Sequence, residues 1–168
     1  MRMLSDCSSV EGATIVMSDW RELTKDELYA ILRLRQEVFV LEQYCPFVDA
    51  DDLDQKAIHM AVWDGEDLVG YSRILPAGAP YEESSFGRLI VAKSFRSTGL
   101  GTELVERSLK IIEEYFGPGD IRIMAQHYLI PFYGRFGFRA LKGRVWEDDI
   151  LHFYMIKEDE SRVRHAAD

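Results

Sequence analysis

Arg96-Ser97-Thr98-Gly99-Leu100-Gly101-Thr102 is the stretch whose residue types and spacing best suit chemistry. It lies between a hydrophobic run, Phe86 to Ala92, and a stretch in which Leu104, Val105, Ser108, Leu109, Ile112 and Phe116 recur at helical spacing. A buried strand, a glycine-containing turn and the start of an amphipathic helix thus follow one another. The first turn of a helix carries N–H groups without intrahelical partners, and the macrodipole makes that end positive. A phosphate or diphosphate fits there. Gly99 and Gly101 let a ligand approach the backbone closely. Arg96 adds a charged contact and the Thr102 hydroxyl a neutral donor.

The same residues narrow the anion. A nucleoside-triphosphate loop needs GxxxxGK[ST], but Gly101 is followed by Thr102. A dinucleotide fingerprint needs a third glycine where Leu104 stands. A connecting turn that holds no ligand is the alternative reading.

Five side chains are candidates for moving a proton: Glu42, Glu83, His59, His127 and Asp148. His59 falls in a predicted strand, where a hydrogen-bonded core histidine is the simpler reading. His127 precedes a predicted helix and reads as a surface residue. Glu42 ends the first predicted helix beside an aspartate-rich loop, which makes it a candidate substrate-side carboxylate. That loop holds Asp49, Asp51, Asp52 and Asp54. The EF-hand template fails on it, because Leu53 and Asp54 occupy positions that require a ligand and a glycine. A solvated acidic loop is expected, with recognition of a cation or a metal as lesser readings. There is no CxxC or Cys/His metal spacing, so no metal site is predicted. Arg88 needs a carboxylate partner if it is buried, or else faces solvent; the sequence leaves both open.

The elements that must position these groups read as follows. Residues Met1 to Gly12 are polar and aperiodic, and are expected to be a tail; Ala13 to Met17 is a candidate strand. Thr24 and Glu27 form a capping box, with Leu23 and Leu28 as its hydrophobic staple, so a helix is predicted from Thr24 to near Gln43. Leu28, Ile31, Leu32 and Phe39 form its apolar stripe. Ala57–Trp63 and Leu68–Leu75 are predicted strands joined by Asp64-Gly65-Glu66-Asp67. Phe86–Ala92 is a strand whose Leu89-Ile90-Val91 centre suggests burial on both faces. The second helix ends at Gly117-Pro118-Gly119. A strand at Ile121–Ala125, a short helix at Leu129–Phe136 closed by Gly137, and strands at Phe138–Leu141 and His152–Lys157 complete a domain spanning 13–157. Glu158 to Asp168 reads as a charged tail. The order predicts an α/β (α+β) fold with a mixed sheet flanked by helices.

The chain has 168 residues, the length of one domain, with 47% apolar and 29% charged residues. The formal net charge is −9, from 29 acidic and 20 basic residues, which argues against a nucleic-acid partner and is compatible with a cationic substrate. Cys7 and Cys45 make no disulfide framework. No signal peptide and no apolar run approaching about 18 residues are seen, so a cytoplasmic protein with no membrane partner is expected.

Arg96-x-x-Gly99-x-Gly101 after a hydrophobic strand resembles the coenzyme A diphosphate loop of the GNAT acetyltransferases. Tyr133, Gly137 and Phe138 match that family's Tyr-x-x-x-Gly-Phe signature. Leu34-Arg35-Gln36-Glu37-Val38-Phe39-Val40-Leu41-Glu42-Gln43, Cys45-Pro46-Phe47, Asp49-x-Asp51-x-x-Asp54, Gly87-Arg88-Leu89-Ile90-Val91 and Glu147-Asp148 are similar to the ElaA-like subgroup. The resemblance implies a central, mostly antiparallel sheet and acetyl-CoA as acyl donor. It implies direct transfer to a primary amine, of a small molecule or a peptide, in a ternary complex. It carries cofactor contacts onto Leu89, Ile90, Val91, Arg96, Ser97, Thr98, Gly99, Leu100, Gly101, Thr102, Phe132 and Tyr133. Gln126 stands where the family has an asparagine that contacts coenzyme A. Tyr133 is implied as general acid, and Glu42 is retained as the catalytic carboxylate. A non-catalytic acyl-CoA sensor and an acyl group other than acetyl are the alternatives. A homodimer is compatible with the sequence, which does not give the oligomeric state.

Overall fold

The computed structural model describes residues 1–147 and 149–159. The first helix, α1 (Lys25–Arg35), begins where the sequence places it. The Thr24 hydroxyl accepts from the Glu27 amide at 3.2 Å, and the Glu27 carboxylate accepts from the Thr24 amide at 2.9 Å. The capping box is therefore complete. The helix continues as a π-helical turn, Gln36–Glu42, closed by the Gln43 amide on the Val38 carbonyl at 3.0 Å. Widening the helix re-aims its last residues, and such turns recur at functional sites. The buried stripe is Ile31, Leu34 and Val38, with Arg35 among them; Leu28, Leu32 and Phe39 are half-buried.

Residues 1–12 are not a tail. Arg2–Asp6 forms strand β1, antiparallel to β2 (Thr14–Asp19). The Arg2 guanidinium reaches Glu27 of the capping box at 2.6 Å. The strand is exposed along most of its length, so no apolar alternation marked it. β3 (Ile58–Asp64) and β4 (Asp67–Leu75) form the predicted hairpin, with Gly65 at φ 59°. β5 (Ser85–Val91) completes an antiparallel sheet of order β1-β2-β3-β4-β5.

Helix α2 (Leu100–Phe116) packs on one face of this sheet and ends at Gly117, φ 83°. Ile15, Met60, Val62, Ile74, Leu104, Val105 and Ile112 form the core there. Gly70 lets Leu100 sit on β4, since a Cβ would stand 3.1 Å from Leu100 Cδ2. The α1 face is smaller: Ile31, Leu34 and Val38 pack on Tyr71 and Ile90.

β6 (Ile121–Gln126), α3 (Ile130–Gly134), β7 (Arg139–Ala140), β8 (Val145–Glu147) and β9 (Ile150–Lys157) follow. They form a second antiparallel sheet of order β6-β9-β7, with β8 also paired to β9. β8 had no signal in the sequence. The two sheets meet at one parallel bridge, Ser84 to Ile121, where the Arg122 amide donates to the Ser84 carbonyl at 3.0 Å. Beyond that root no ladder joins β5 to β6 among the described residues. The unpaired stretch between the two strands is the candidate cleft, with β5 leading into the Arg96–Thr102 turn and β6 into α3. Residues 160–168, most of the predicted charged tail, lie outside the described residues, as does Asp148.

Candidate active site

The Arg96–Thr102 turn has the backbone expected of an anion cradle. Ser97 and Gly99 are left-handed, at φ 67° and 95°, and curl the chain before Leu100 opens α2. The first helix amide bonded to a backbone carbonyl is that of Glu103, to Gly99 at 3.1 Å. The Leu100 amide donates to the Thr98 hydroxyl at 3.3 Å. Those of Gly101 and Thr102 take no acceptor among the described residues. A Cβ on Gly101 would stand 3.8 Å from both Phe132 Cζ and Val91 Cγ2, so the turn, β5 and α3 converge there. Leu89 and Val91 are half-buried and Ile90 is buried against α1; the expected burial on both faces is thus partial on the cleft side. These residues suit a phosphate-bearing ligand: unclaimed amides, a glycine at close approach and a half-covered strand.

Tyr133 lies on α3 with its ring packed against Phe132, Phe86 and Phe138, at centroid distances of 5.0, 6.2 and 6.2 Å. Its side chain is 8% exposed, yet its hydroxyl is not sealed in and has no hydrogen-bond partner among the described residues. Burial pushes the phenol upward, so it keeps its proton at neutral pH.

Glu42 ends the π-helical turn and is engaged by an arginine. It grips Arg96 through two contacts, 2.6 and 2.9 Å, while Arg96 Nε donates to the Val91 carbonyl at 3.2 Å. The hydrogen bonds to Arg96 hold its carboxyl below the usual range, which makes it a poor base while paired. Gln126, at the end of β6, donates from Nε2 to Gln43 Oε1 at 2.9 Å and accepts from the Tyr128 hydroxyl. Gln43 and Tyr128 were not foreseen: Gln43 belongs to a motif whose role spacing does not reveal, and Tyr128 carries no local signal.

The aspartates are not a solvated loop. Arg35, fully buried, donates to Asp49 at 2.5 Å and Asp54 at 2.7 Å. Arg73 reaches Asp51 at 2.6 Å and Asp54 at 2.9 Å. Arg88 reaches Asp49 at 2.6 Å, which settles the question the sequence left open. Arg88 sits at φ 50° where the β4–β5 register slips by one residue, a bulge beside which its side chain meets Asp49 and the rings of Phe39 and Phe47. Burial pushes Asp54 upward, but Arg35 and Arg73 outweigh it and hold the group low. The three aspartates neutralise three arginines. Asp52 lies apart, exposed and left-handed at φ 60°.

His59 is a core histidine. Nε2 lies 2.9 Å from the Asp54 carbonyl, which only accepts, so Nε2 carries the proton and Nδ1 accepts from the Tyr71 hydroxyl at 2.8 Å. Burial lowers its basicity further. His127 is exposed beside Phe153. Glu83 pairs with Arg122 at 3.2 Å. A further carboxylate, Glu103, escaped the sequence reading. It accepts from the Ser8 and Ser9 amides at 3.0 and 2.8 Å and pairs with Arg107 at 2.7 Å. Burial pushes it up, but these donors bring it down to about 2. It thereby anchors the 7–12 loop beside Gly99.

The acetyltransferase (GNAT) domain is matched over residues 24–159. The chain belongs to the GNAT acetyltransferase family. As such it is an acyltransferase, and the expected fold is borne out. It is 35% identical to protein ElaA of Escherichia coli, over 84% of this chain and 97% of that one. The crystal structure of E. coli ElaA superposes with a TM-score of 0.80 at 31% identity, covering 94% of this chain and all of that one. An acyl-CoA N-acyltransferase from Pseudomonas aeruginosa superposes with a TM-score of 0.80 at 36% identity, covering 85% and 98%. The ElaA-like resemblance holds at both levels. Among the described residues no helix is long and apolar enough to cross a membrane.

Proposed function

We propose that this GNAT acyltransferase moves an acetyl group from acetyl-CoA to a primary amine, directly within a ternary complex. In this reading Arg96 and the backbone of Ser97, Thr98, Gly99, Leu100, Gly101 and Thr102 hold the diphosphate. Leu89 and Val91, with the backbone of Ile90 between them, line the arm that carries the thioester, and Phe132 packs beside it. Bound coenzyme supplies an acetyl group activated as a thioester. The amine nitrogen attacks the carbonyl carbon, the C–N bond forms and the C–S bond breaks. Tyr133 gives its proton to the departing sulfur, whose basicity also rises in a desolvated cleft. The proton lost by the amine returns through solvent. Holding both reactants together supplies much of the acceleration. With a net charge of −9, we assign the acceptor to small-molecule or peptide amines in the cytoplasm rather than to nucleic acid.

One observation carries the reading: a phenol whose ring is buried and whose hydroxyl is unclaimed, on the helix that meets the anion turn across Gly101. Tyr133→Phe removes the proton and little else. Thiol release with saturating amine is expected to fall by about 10²–10⁴ in turnover. An unchanged rate removes the acid role. Tight acyl-CoA binding without thiol release for any amine assigns the chain to acyl-CoA sensing instead.

A further inference from the structure

The two side chains expected to meet coenzyme A from opposite sides of the cleft mouth are both engaged by consecutive residues of one corner. Glu42 closes the π-helical turn and takes the Arg96 fork in a bidentate pair, the geometry a phosphate also uses. Gln43 presents an amide oxygen to Gln126, the kind of acceptor an amide-bearing arm offers. The next residue, Tyr44, is left-handed at φ 56° and 85% exposed. A non-glycine residue held there is strained, so this corner is kept in place by its contacts rather than by backbone preference. The Glu42–Arg96 pair is exposed, the class of ion pair that exchanges readily.

We infer that Glu42 and Gln43 form an internal latch that occupies the cofactor's contacts on Arg96 and Gln126, so that coenzyme A binds by displacing them. The inference rests on the proposed coenzyme A site. It makes binding ordered: the coenzyme takes Arg96 first, and the Glu42 carboxylate it releases turns to the acceptor side, where a cationic amine is its natural partner. Glu42 is then a positioning residue that is silent until the coenzyme arrives.

The test is equilibrium binding of coenzyme A to the full chain by calorimetry at low salt. If the carboxylate competes, Glu42→Gln binds about three- to fivefold more tightly than the unaltered chain, the range expected of an exposed pair. Gln43→Ala moves in the same direction by less. In an Arg96→Gln background the Glu42→Gln gain disappears, because the group competed for is gone. Equal or weaker binding by Glu42→Gln overturns the latch, as does a gain that persists without Arg96. A folded, unaltered chain that binds no coenzyme A overturns the cofactor reading itself, so the two failures are told apart.

Discussion

Two clusters in this molecule are built from the same pair of groups, guanidinium and carboxylate, and differ in where water is. Beside α1, Arg35 and Arg73 are buried with Asp49 and Asp54, Arg88 and Asp51 flank them half-buried, and the shared Asp54 ties a helix, a strand and a loop into one unit. At the cleft mouth Arg96 and Glu42 make equally short contacts in the open. The buried members, Arg35, Arg73, Asp49 and Asp54, fix geometry, because removing one strands a charge away from solvent. The open set can exchange, because water and salt stand ready to replace either partner. The cluster holds the β5 bulge at Arg88 in place, and the strand beyond that bulge, Leu89 to Val91, runs on to the Arg96–Thr102 turn.

The sharpest way to break this contrast is to remove one carboxylate from each cluster. Asp54→Ala leaves Arg35 and Arg73 short of a partner and is expected to cost about 3–5 kcal/mol in urea unfolding. Glu42→Gln, at the cleft, is expected to cost under about 1 kcal/mol. Similar losses at the two sites would erase the distinction.

Glu103 is a third case, a buried carboxylate paired with a half-buried arginine. Its folded value, lowered to about 2 from an unfolded value near 4.5, stabilises the native state fully above pH 4.5. That contribution fades as the pH falls toward 2, where the folded group takes up its proton. Glu103→Gln is expected to cost about 2 kcal/mol at neutral pH, with the difference from the unaltered chain shrinking in acid. A difference independent of pH would show that the Ser8 and Ser9 amides do not depend on the carboxylate's charge.

What was legible in the sequence was local. The Thr24–Glu27 capping box, the Asp64–Asp67 hairpin and the glycine turn into α2 each rest on residues a few positions apart, and each stands where its signal put it. The misses are long-range or lack periodicity. Asp49, Asp51 and Asp54 looked like a solvated loop because their arginines lie 14 to 39 positions away. β1 offered no alternation because most of it stays exposed, and it is held by pairing with β2 and by Glu27. For the site, the sequence located the turn and Tyr133 through motif spacing. It gave no sign that Glu42 and Gln43 reach across to Arg96 and Gln126, because a π-helical turn re-aims them.

The central claim is that the amides of the Arg96–Thr102 turn receive the diphosphate of coenzyme A. Titrating an isotope-labelled chain with coenzyme A and following the backbone amide resonances tests it most directly. Gly99, Gly101 and Thr102 are expected to shift strongly and together, with the side-chain signal of Arg96 moving as Glu42 is released. Binding that leaves those amides unmoved while resonances elsewhere shift would contradict it.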